Sequence, residues 1–186
     1  FHVTGVQTCA LPISETVRAF LLKSGLWAFI KQRPYDIIAN PDATPKAIFV
    51  SGLSTAPLAA DMDYVLQGKE AELQAAVDAL SALTPGKIHV SVGSNGSPLA
   101  QLSNVSVHSV SGPHPAGLVG TQINKIDPIN KGEVVWTITP QDLVIIGETL
   151  LTGKFNAERV IALGGSVVKS PKYYTTKIGA EISTFL

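Results

Sequence analysis

"KEAELQAAVDALSALTPGKIHVSV" (residues 69–92) places a strongly helical segment directly before a short apolar strand. The first part is rich in Ala, Leu and Glu, and its apolar residues recur at helical spacing until Pro85 and Gly86 end the pattern. The second part, residues 87–92, predicts a strand. Another apolar strand, "KAIFVSG" (46–52), precedes the helix, so the three segments predict a β-α-β unit.

The alternation of helices and strands continues on both sides of this unit. Strands that are apolar on both faces, alternating with helices, predict an α/β domain with a mostly parallel sheet covered by helices on both faces. Thr139, Pro140 and Gly153 carry the start and stop signals of one helix. We expect helices at 15–31 (broken near Gly25), within 113–126 and at 139–153; strands at 105–112, 132–138 and 158–165, the last one buried; an extended connection at 33–45; and a strand at 172–179 that leaves the sheet.

The first fourteen residues differ in origin from the rest of the chain. Codons can be chosen for Val3 to Ile13 so that the DNA reproduces an adapter used in short-read sequencing. We therefore interpret residues 1–14 as translated adapter and expect the chain to be a fragment. Cys9, the single cysteine, lies in this stretch. The remaining residues then offer no disulfide, no thiolate nucleophile and no cysteine ligand for a metal.

Composition narrows the class of protein further. The formal net charge is +0, and charged residues make up 15% of the chain against 45% hydrophobic ones. A neutral chain lacks the electrostatic signature of a nucleic-acid-binding protein. No apolar run reaches the roughly 18–20 residues that span a bilayer, so we expect no transmembrane segment. The apolar surplus suits a buried parallel sheet and surfaces covered by other domains.

The loop "SGPHPAGLVG" (111–120) follows a strand and precedes a helix, the position where Rossmann-like folds bind phosphate. Pro113 and Pro115 each remove a backbone N–H donor, and no Lys-Ser/Thr pair follows the glycines. His114 has no neighbouring ligand for a metal, and we interpret the strand residues His89 and His108 as structural. The residues assigned to this structural loop or subunit interface are Gly112, Pro113, His114, Pro115 and Gly117.

The segment "GLWAFIKQRPY" (25–35) concentrates aromatic and basic residues at the end of a predicted helix. Two interpretations remain open: an aromatic cluster that anchors the core, or a site for a planar ring bearing carbonyl oxygens. In the second, the aromatic faces would stack on the ring and Arg33 would donate to an oxygen. The predicted site residues are Trp27, Phe29, Arg33 and Tyr35. No catalytic residue and no metal site are predicted.

Several stretches together resemble one family. They include "SGLWAFIKQRPY" (24–35), "TPKAIFVSGLSTAPLAAD" (44–61), "SGPHPAGLVG" (111–120) and "VVWTITPQDLVIIGETLLTGKFNAERVIALGG" (134–165). They resemble the A subunits of sodium-translocating NADH:quinone reductases, from about Val17 to Ala180. The resemblance implies a peripheral subunit on the cytoplasmic face of the bacterial inner membrane, in a complex that passes electrons from NADH to ubiquinone or menaquinone and exports sodium.

The resemblance also implies a domain order. We expect a Rossmann-like domain over 15–170, and the start of a β-grasp domain over 171–186. The family is similar in fold to the flavin-binding subunits of complex I and of the Rnf complex. Those relatives carry acidic residues in the loop after the first strand, where this chain has Ser54 and Ala56. Binding of FMN, FAD or NADH is therefore not expected. An iron–sulfur cluster is not expected either, because no cysteine remains after residue 14.

The partners implied are the other subunits of the complex and a quinone. Two further functions remain open. The first is a free-standing Rossmann-like oxidoreductase that binds a nucleotide or flavin; it would need a glycine-rich phosphate loop and a ribose-binding acid. The second is a purely structural scaffold, which differs from a quinone-binding subunit only in whether the segment 25–35 contacts a quinone.

Overall fold

A computed structural model describes residues 13–185 of the chain. The interpretation of residues 1–14 as adapter, and that of Cys9, therefore fall outside the described residues except at Ile13 and Ser14, which begin the first helix. Three short 3-10 helices lie at Leu26–Phe29, Pro98–Gln101 and Ile182–Phe185. The α-helices are α1 (Ile13–Lys23), α2 (Met62–Val65), α3 (Glu70–Ser81), α4 (Val119–Ile126) and α5 (Pro140–Thr152). The strands are β1 (Lys31–Arg33), β2 (Ile37–Ile38), β3 (Ile48–Ser51), β4 (Ile88–Val92), β5 (Ser106–Ser109), β6 (Val135–Ile138), β7 (Glu158–Leu163) and β8 (Lys172–Lys177).

The main sheet has six strands in the order β2-β1-β6-β3-β4-β5. Strands β6, β3, β4 and β5 are parallel, which confirms the predicted mostly parallel α/β sheet. The chain runs outward from β3 through β4 to β5 and then returns to place β6 on the other side of β3. The strand order therefore reverses between β3 and β6, which creates a switch point of the kind at which open α/β sheets bind ligands.

Helices cover both faces of this sheet, as predicted. Ile48 and Trp136 point to one face, where they pack with buried residues of α3 and α5 in the larger core. Phe49 and Val135 point to the other face, where they contact Ile123 of α4. The period of two along each strand divides the residues between the faces.

Helix α5 begins and ends where the sequence predicts. The Thr139 hydroxyl oxygen accepts a hydrogen bond from the Asp142 N–H at 3.3 Å, and Gly153 follows the last residue. Its contact with α3 is very close at Gly147: a Cβ there would lie 1.7 Å from the carbonyl oxygen of Glu72. Only glycine allows the two backbones to approach this closely.

The segment expected as an extended connection differs from the prediction. Strands β1 and β2 form an antiparallel hairpin, and β1 also pairs antiparallel with β6. Asp36 turns the chain with a φ of 56°, a conformation that Asp adopts more readily than most residues. The strands have only three and two residues, too few for an alternating pattern to stand out in the sequence.

The strand predicted at 158–165 exists, but the prediction of a buried strand was wrong. β7 is exposed or half-buried along its length and pairs antiparallel with β8 in a separate two-stranded sheet. A short apolar run such as "VIAL" (160–163) fits a buried or a half-covered strand equally well. The second sheet thus begins at Glu158, while the domain bounds 15–170 and 171–186 stay a prediction. None of the described helices is long and apolar enough to cross a membrane.

Candidate functional site

A cleft of about 880 Å³ opens at the carboxyl ends of β3 and β6, where the strand order reverses. Ligands of open α/β sheets bind outside the carboxyl ends of the strands at this kind of reversal, because the connections leave in opposite directions and open a crevice. Ser51 and Thr137 form part of its floor, and the first residues of α4 and α5 lie beside them. The two-stranded sheet β7–β8 forms another wall through Ile161, Thr176 and the residues after β8.

The loop before α4 is fixed to the loop after β3 inside this cleft. The Gly117 N–H donates to the Thr55 hydroxyl at 3.0 Å, and the Ser51 hydroxyl donates to the Gly117 carbonyl at 3.4 Å. A Cβ at Gly117 would lie 2.4 Å from the Thr55 backbone nitrogen. Glycine is needed there because the two loops touch through their backbones.

The start of α5 holds the second sheet in place. The Gln141 side chain forms two hydrogen bonds with the backbone of Val160, donating to its carbonyl at 3.0 Å and accepting from its N–H at 2.9 Å. Asp142, almost fully buried, accepts from the Thr139 hydroxyl at 2.5 Å and forms an ion pair with Arg159. Arg159 is thereby held at the cleft beside the first turn of α5.

A tyrosine contact fixes the other end of the second sheet. The Asp61 N–H donates to the Tyr173 hydroxyl at 2.9 Å, and the rings of Tyr64 and Tyr173 lie 4.9 Å apart. Together with the Gln141 and Asp142 contacts, this joins the two-stranded sheet to the α/β domain at three points. The wall of the cleft is therefore built by side-chain contacts that are far apart in sequence.

The charges in the cleft are mainly positive. Lys31 and Lys177 are exposed and the two guanidinium groups are half-buried, whereas both carboxylates already have a basic partner. Arg33 pairs with Asp36 at 3.3 Å. An apolar cleft with basic groups at its rim suits a planar, mostly apolar ligand whose oxygens accept hydrogen bonds. The charged lining residues are Lys31, Arg33, Arg159 and Lys177 against Asp36 and Asp142.

Two of the four predicted site residues line the cleft and two do not. Phe29 and Arg33 line the cleft, and the Phe29 ring stacks on Phe155 with centroids 6.5 Å apart and an interplanar angle of 8°. Trp27 lies in the core, where its indole N–H donates to the Ala39 carbonyl at 2.7 Å and its ring meets Trp136 edge-on. Tyr35 is 80% exposed at the hairpin turn and does not line the cleft.

The predicted loop at 111–120 lies beside the cleft and on the surface. Gly112, Pro113 and Pro115 are exposed, and His114 is exposed with its Nδ1 3.3 Å from the Thr55 hydroxyl. Gly117 is the member of this set that lines the cleft. Sequence reasoning missed Lys31, Arg159 and Lys177, and only Lys31 had a local signal, since it lies within the aromatic segment.

Two groups of residues with shifted pKa values lie outside the cleft, one around Lys46 and one at His89. Lys46 contacts Asp127 at 2.6 Å and Glu133 at 3.0 Å, and these hydrogen bonds raise the pKa of Lys46. The Asn130 N–H, followed by Lys46, lowers the pKa of Glu133. Burial, followed by the neighbouring His108, lowers the pKa of His89. Within the described residues, no group of three or more His, Cys, Asp or Glu side chains is arranged to hold a metal ion.

The fold and the cleft define an α/β domain with a ligand-sized crevice at the reversal of its strand order, followed by a second β unit. Residues 13–155 match the family model described as the NqrA second alpha/beta domain, and residues 160–186 match that of the NQRA C-terminal domain. The chain therefore belongs to the NqrA family.

Curated relatives are named as the A subunit of Na(+)-translocating NADH-quinone reductase. The chain is 43% identical over 170 residues to that of Neisseria meningitidis serogroup B, 40% identical over 171 residues to that of Histophilus somni (strain 2336), and 39% identical over 168 residues to that of Vibrio atlanticus (strain LGP32). These matches cover 91%, 91% and 90% of this chain. The chain spans 38% of the length of each of these relatives.

Proposed function

We propose that this chain is part of the peripheral A subunit of a Na⁺-translocating NADH-quinone reductase and that its cleft binds the quinone headgroup, ubiquinone or menaquinone. The relatives named for this complex supply the context. The observation that carries the quinone assignment is the cleft itself, which combines an apolar lining, the Phe29 ring and the Arg33 guanidinium at the strand-order reversal. In this proposal the protein works on the cytoplasmic face of the bacterial membrane and contacts the other subunits of the complex.

The residues of the cleft would bind and orient the quinone rather than react with it. The Phe29 ring is braced by Phe155 and offers a fixed apolar wall for a flat ring. The Arg33 side chain, with its charge partly offset by Asp36, can donate to a quinone oxygen. Such donors favour the reduced forms, because semiquinone and quinol anions carry more negative charge on oxygen than the quinone does.

Two other functions are less favoured. A free-standing flavin or nucleotide enzyme would place phosphates against the loop before α4, but Pro113 and Pro115 lack backbone N–H groups and Gly117 already donates its own to Thr55. The proposal therefore includes no FMN, FAD or iron–sulfur cluster bound to this chain. It does include a fold similar to that of the flavin-binding subunits of complex I and of the Rnf complex. A purely structural scaffold would leave the cleft without a ligand.

Titration of the full chain with ubiquinone-1 tests the proposal. Trp27 and Trp136 lie in the core near the cleft, so quenching of their fluorescence reports binding, with calorimetry as a second readout. Phe29→Leu keeps an apolar side chain but removes the flat ring, and Tyr35→Leu is the matched control because Tyr35 lies outside the cleft. We expect Phe29→Leu or Arg33→Ala to weaken binding by roughly 1–3 kcal/mol, and Tyr35→Leu to leave it unchanged.

Failure of the wild-type chain to bind ubiquinone-1 would favour the scaffold. Equal affinity in all variants would show that the quinone does not bind at Phe29 and Arg33, and the proposed site would be wrong. Titration with FMN and NADH in the same assay addresses the alternative enzyme. Micromolar or tighter binding of either would overturn the exclusion of nucleotides. Each variant needs an unfolding curve, because Arg33→Ala also removes the ion pair with Asp36 in the hairpin.

A further inference from the structure

Arg159 brings a guanidinium group from the second sheet to the cleft. It lies on β7, and its Nη2 donates to one oxygen of the Asp142 carboxylate. The Thr139 hydroxyl donates to the other oxygen at 2.5 Å, and Asp142 itself is almost fully buried. The carboxylate therefore holds the guanidinium from one side only. Arg159 has no role in the quinone site proposed above, which assigns the ring oxygen to Arg33.

The rest of the Arg159 guanidinium has N–H donors without an acceptor. In the part of the chain that the structure describes, only Nη2 donates to another residue, and Nε is buried without a partner. The side chain is still 30% exposed and lines the cleft, so part of the group is open to a ligand there. Unpaired donors at a partly buried site are unfavourable, and an oxygen that a ligand brings to the guanidinium relieves this cost.

The charges around Arg159 favour a particular kind of oxygen. Four basic and two acidic side chains line the cleft, which gives it a formal charge of +2. The two acids, Asp36 and Asp142, each already pair with an arginine. Hydrogen bonds between two charged groups are about twice as strong as neutral ones. The cleft therefore favours an ionised oxygen over a neutral carbonyl oxygen.

We propose that Arg159 makes the cleft selective for the charge of its ligand. The cleft binds a flat ring that carries an ionised oxygen, such as a hydroxyquinone anion or a deprotonated quinol, more tightly than a neutral quinone of the same shape. This inference rests on the quinone site proposed above. Phe29 contacts the ring, Arg159 donates to the ionised oxygen, and Asp142 orients Arg159. Arg159 is thus a specificity-determining residue that the second sheet supplies.

Calorimetric titration of the full chain with two naphthoquinones of nearly equal shape tests the selectivity. 2-Hydroxy-1,4-naphthoquinone is an anion at neutral pH, whereas 2-methyl-1,4-naphthoquinone is neutral. Cys9→Ser in every sample prevents addition of the Cys9 thiol to the quinone ring. We expect the hydroxy compound to bind about tenfold more tightly or better. A cleft that recognised only apolar surface would prefer the methyl compound, because the anion is costly to remove from water.

Variants at position 159 assign the selectivity to this side chain. Arg159→Gln should reduce the preference for the hydroxy compound by about tenfold, and Arg159→Lys should retain most of it. A merely structural role would weaken both ligands equally and leave their ratio unchanged. Lys125→Gln is the matched control, because it removes one exposed positive charge on α4 outside the cleft and should not change the ratio. If Arg159→Gln does not fold, its combination with Asp142→Asn avoids an unpaired buried carboxylate.

Equal affinity for the two naphthoquinones, tighter binding of the methyl compound, or an unchanged preference in a folded Arg159→Gln chain would overturn charge selection by Arg159. Each of these results would leave the quinone site in place. Failure of both naphthoquinones to bind would also overturn the selectivity. If ubiquinone-1 then fails to bind as well, the quinone site itself is wrong.

Discussion

Replacing Gly147 with alanine should strongly destabilise the fold, because α3 and α5 touch through their backbones at this point. The added Cβ would lie 1.7 Å from the Glu72 carbonyl oxygen, 2.5 Å from its carbon and 2.9 Å from its Cα. Since a Cβ essentially never approaches another heavy atom within 3.0 Å, the helices would have to separate by about 1.3 Å or more. Leu73, Val77 and Leu143 are fully buried beside this contact and would lose packing.

The magnitude is the difference between two effects. Overpacking of a close-packed core costs about 1–3 kcal/mol and at times more, and here the obstacle is backbone that no rotamer change removes. Alanine in place of glycine within a helix stabilises the helix by up to about 1 kcal/mol. Taking the upper end of the overpacking range, about 3 kcal/mol, because backbone cannot move aside, we expect Gly147→Ala to lower the free energy of unfolding by about 2–3 kcal/mol. Urea denaturation with tryptophan fluorescence measures this change.

Gly120→Ala is the matched control for this prediction. Gly120 lies in the first turn of α4, and a Cβ there has no heavy atom within 4 Å. It should be neutral or stabilising by up to about 1 kcal/mol. Equal stability of Gly147→Ala and the wild type would show that the two helices are not in backbone contact, and the account of their packing would be wrong.

Three further predictions concern other contacts. The pKa of Glu133 is lowered below its usual 4.5, so its stabilisation is present above that pH and is lost as the pH falls towards the lowered value; Glu133→Gln should flatten the dependence of the unfolding midpoint on acid pH. Asp142→Asn should weaken the hold on Arg159, and limited proteolysis should then cut β7–β8 faster than in wild type, whereas equal rates would count against this docking contact. Trp27→Phe removes a buried hydrogen bond to a backbone carbonyl, so it should lower the free energy of unfolding by roughly 1–3 kcal/mol. The affinity for ubiquinone-1 should not fall in proportion. A loss of affinity at unchanged stability would show that Trp27 does belong to the quinone site.

The parallel part of the fold was predictable because its signals are local. The helix at Glu70–Ser81 and the caps of the helix at Pro140–Thr152 follow from spacing, Thr139 and Gly153. The antiparallel strands at the edge of the main sheet and in the second sheet were not predictable from local signals. Their strands are held by a short turn at Asp36 and by side chains such as Gln141, which bonds to a strand backbone 19 residues away.

The candidate site was predictable only in part, for a related reason. The segment 25–35 identified Phe29 and Arg33, but the 3-10 helix turns the neighbouring Trp27 into the core and the hairpin directs Tyr35 to solvent. The other walls of the cleft come from elements far away in sequence. Arg159 reaches it only because Asp142 holds it there, and no local pattern records that contact.

The most direct test of the central claim is the position at which a quinone reacts. Irradiation of the full chain with a photoreactive azido-ubiquinone, followed by peptide mass spectrometry, locates the bound headgroup. We expect labelled peptides around the cleft, at residues 28–33, 51–54, 117–119 and 137–139, with labelling suppressed by excess ubiquinone-1. Suppressible labelling confined to other segments, such as 87–92 and 105–110 on the far strands, would contradict quinone binding in the cleft.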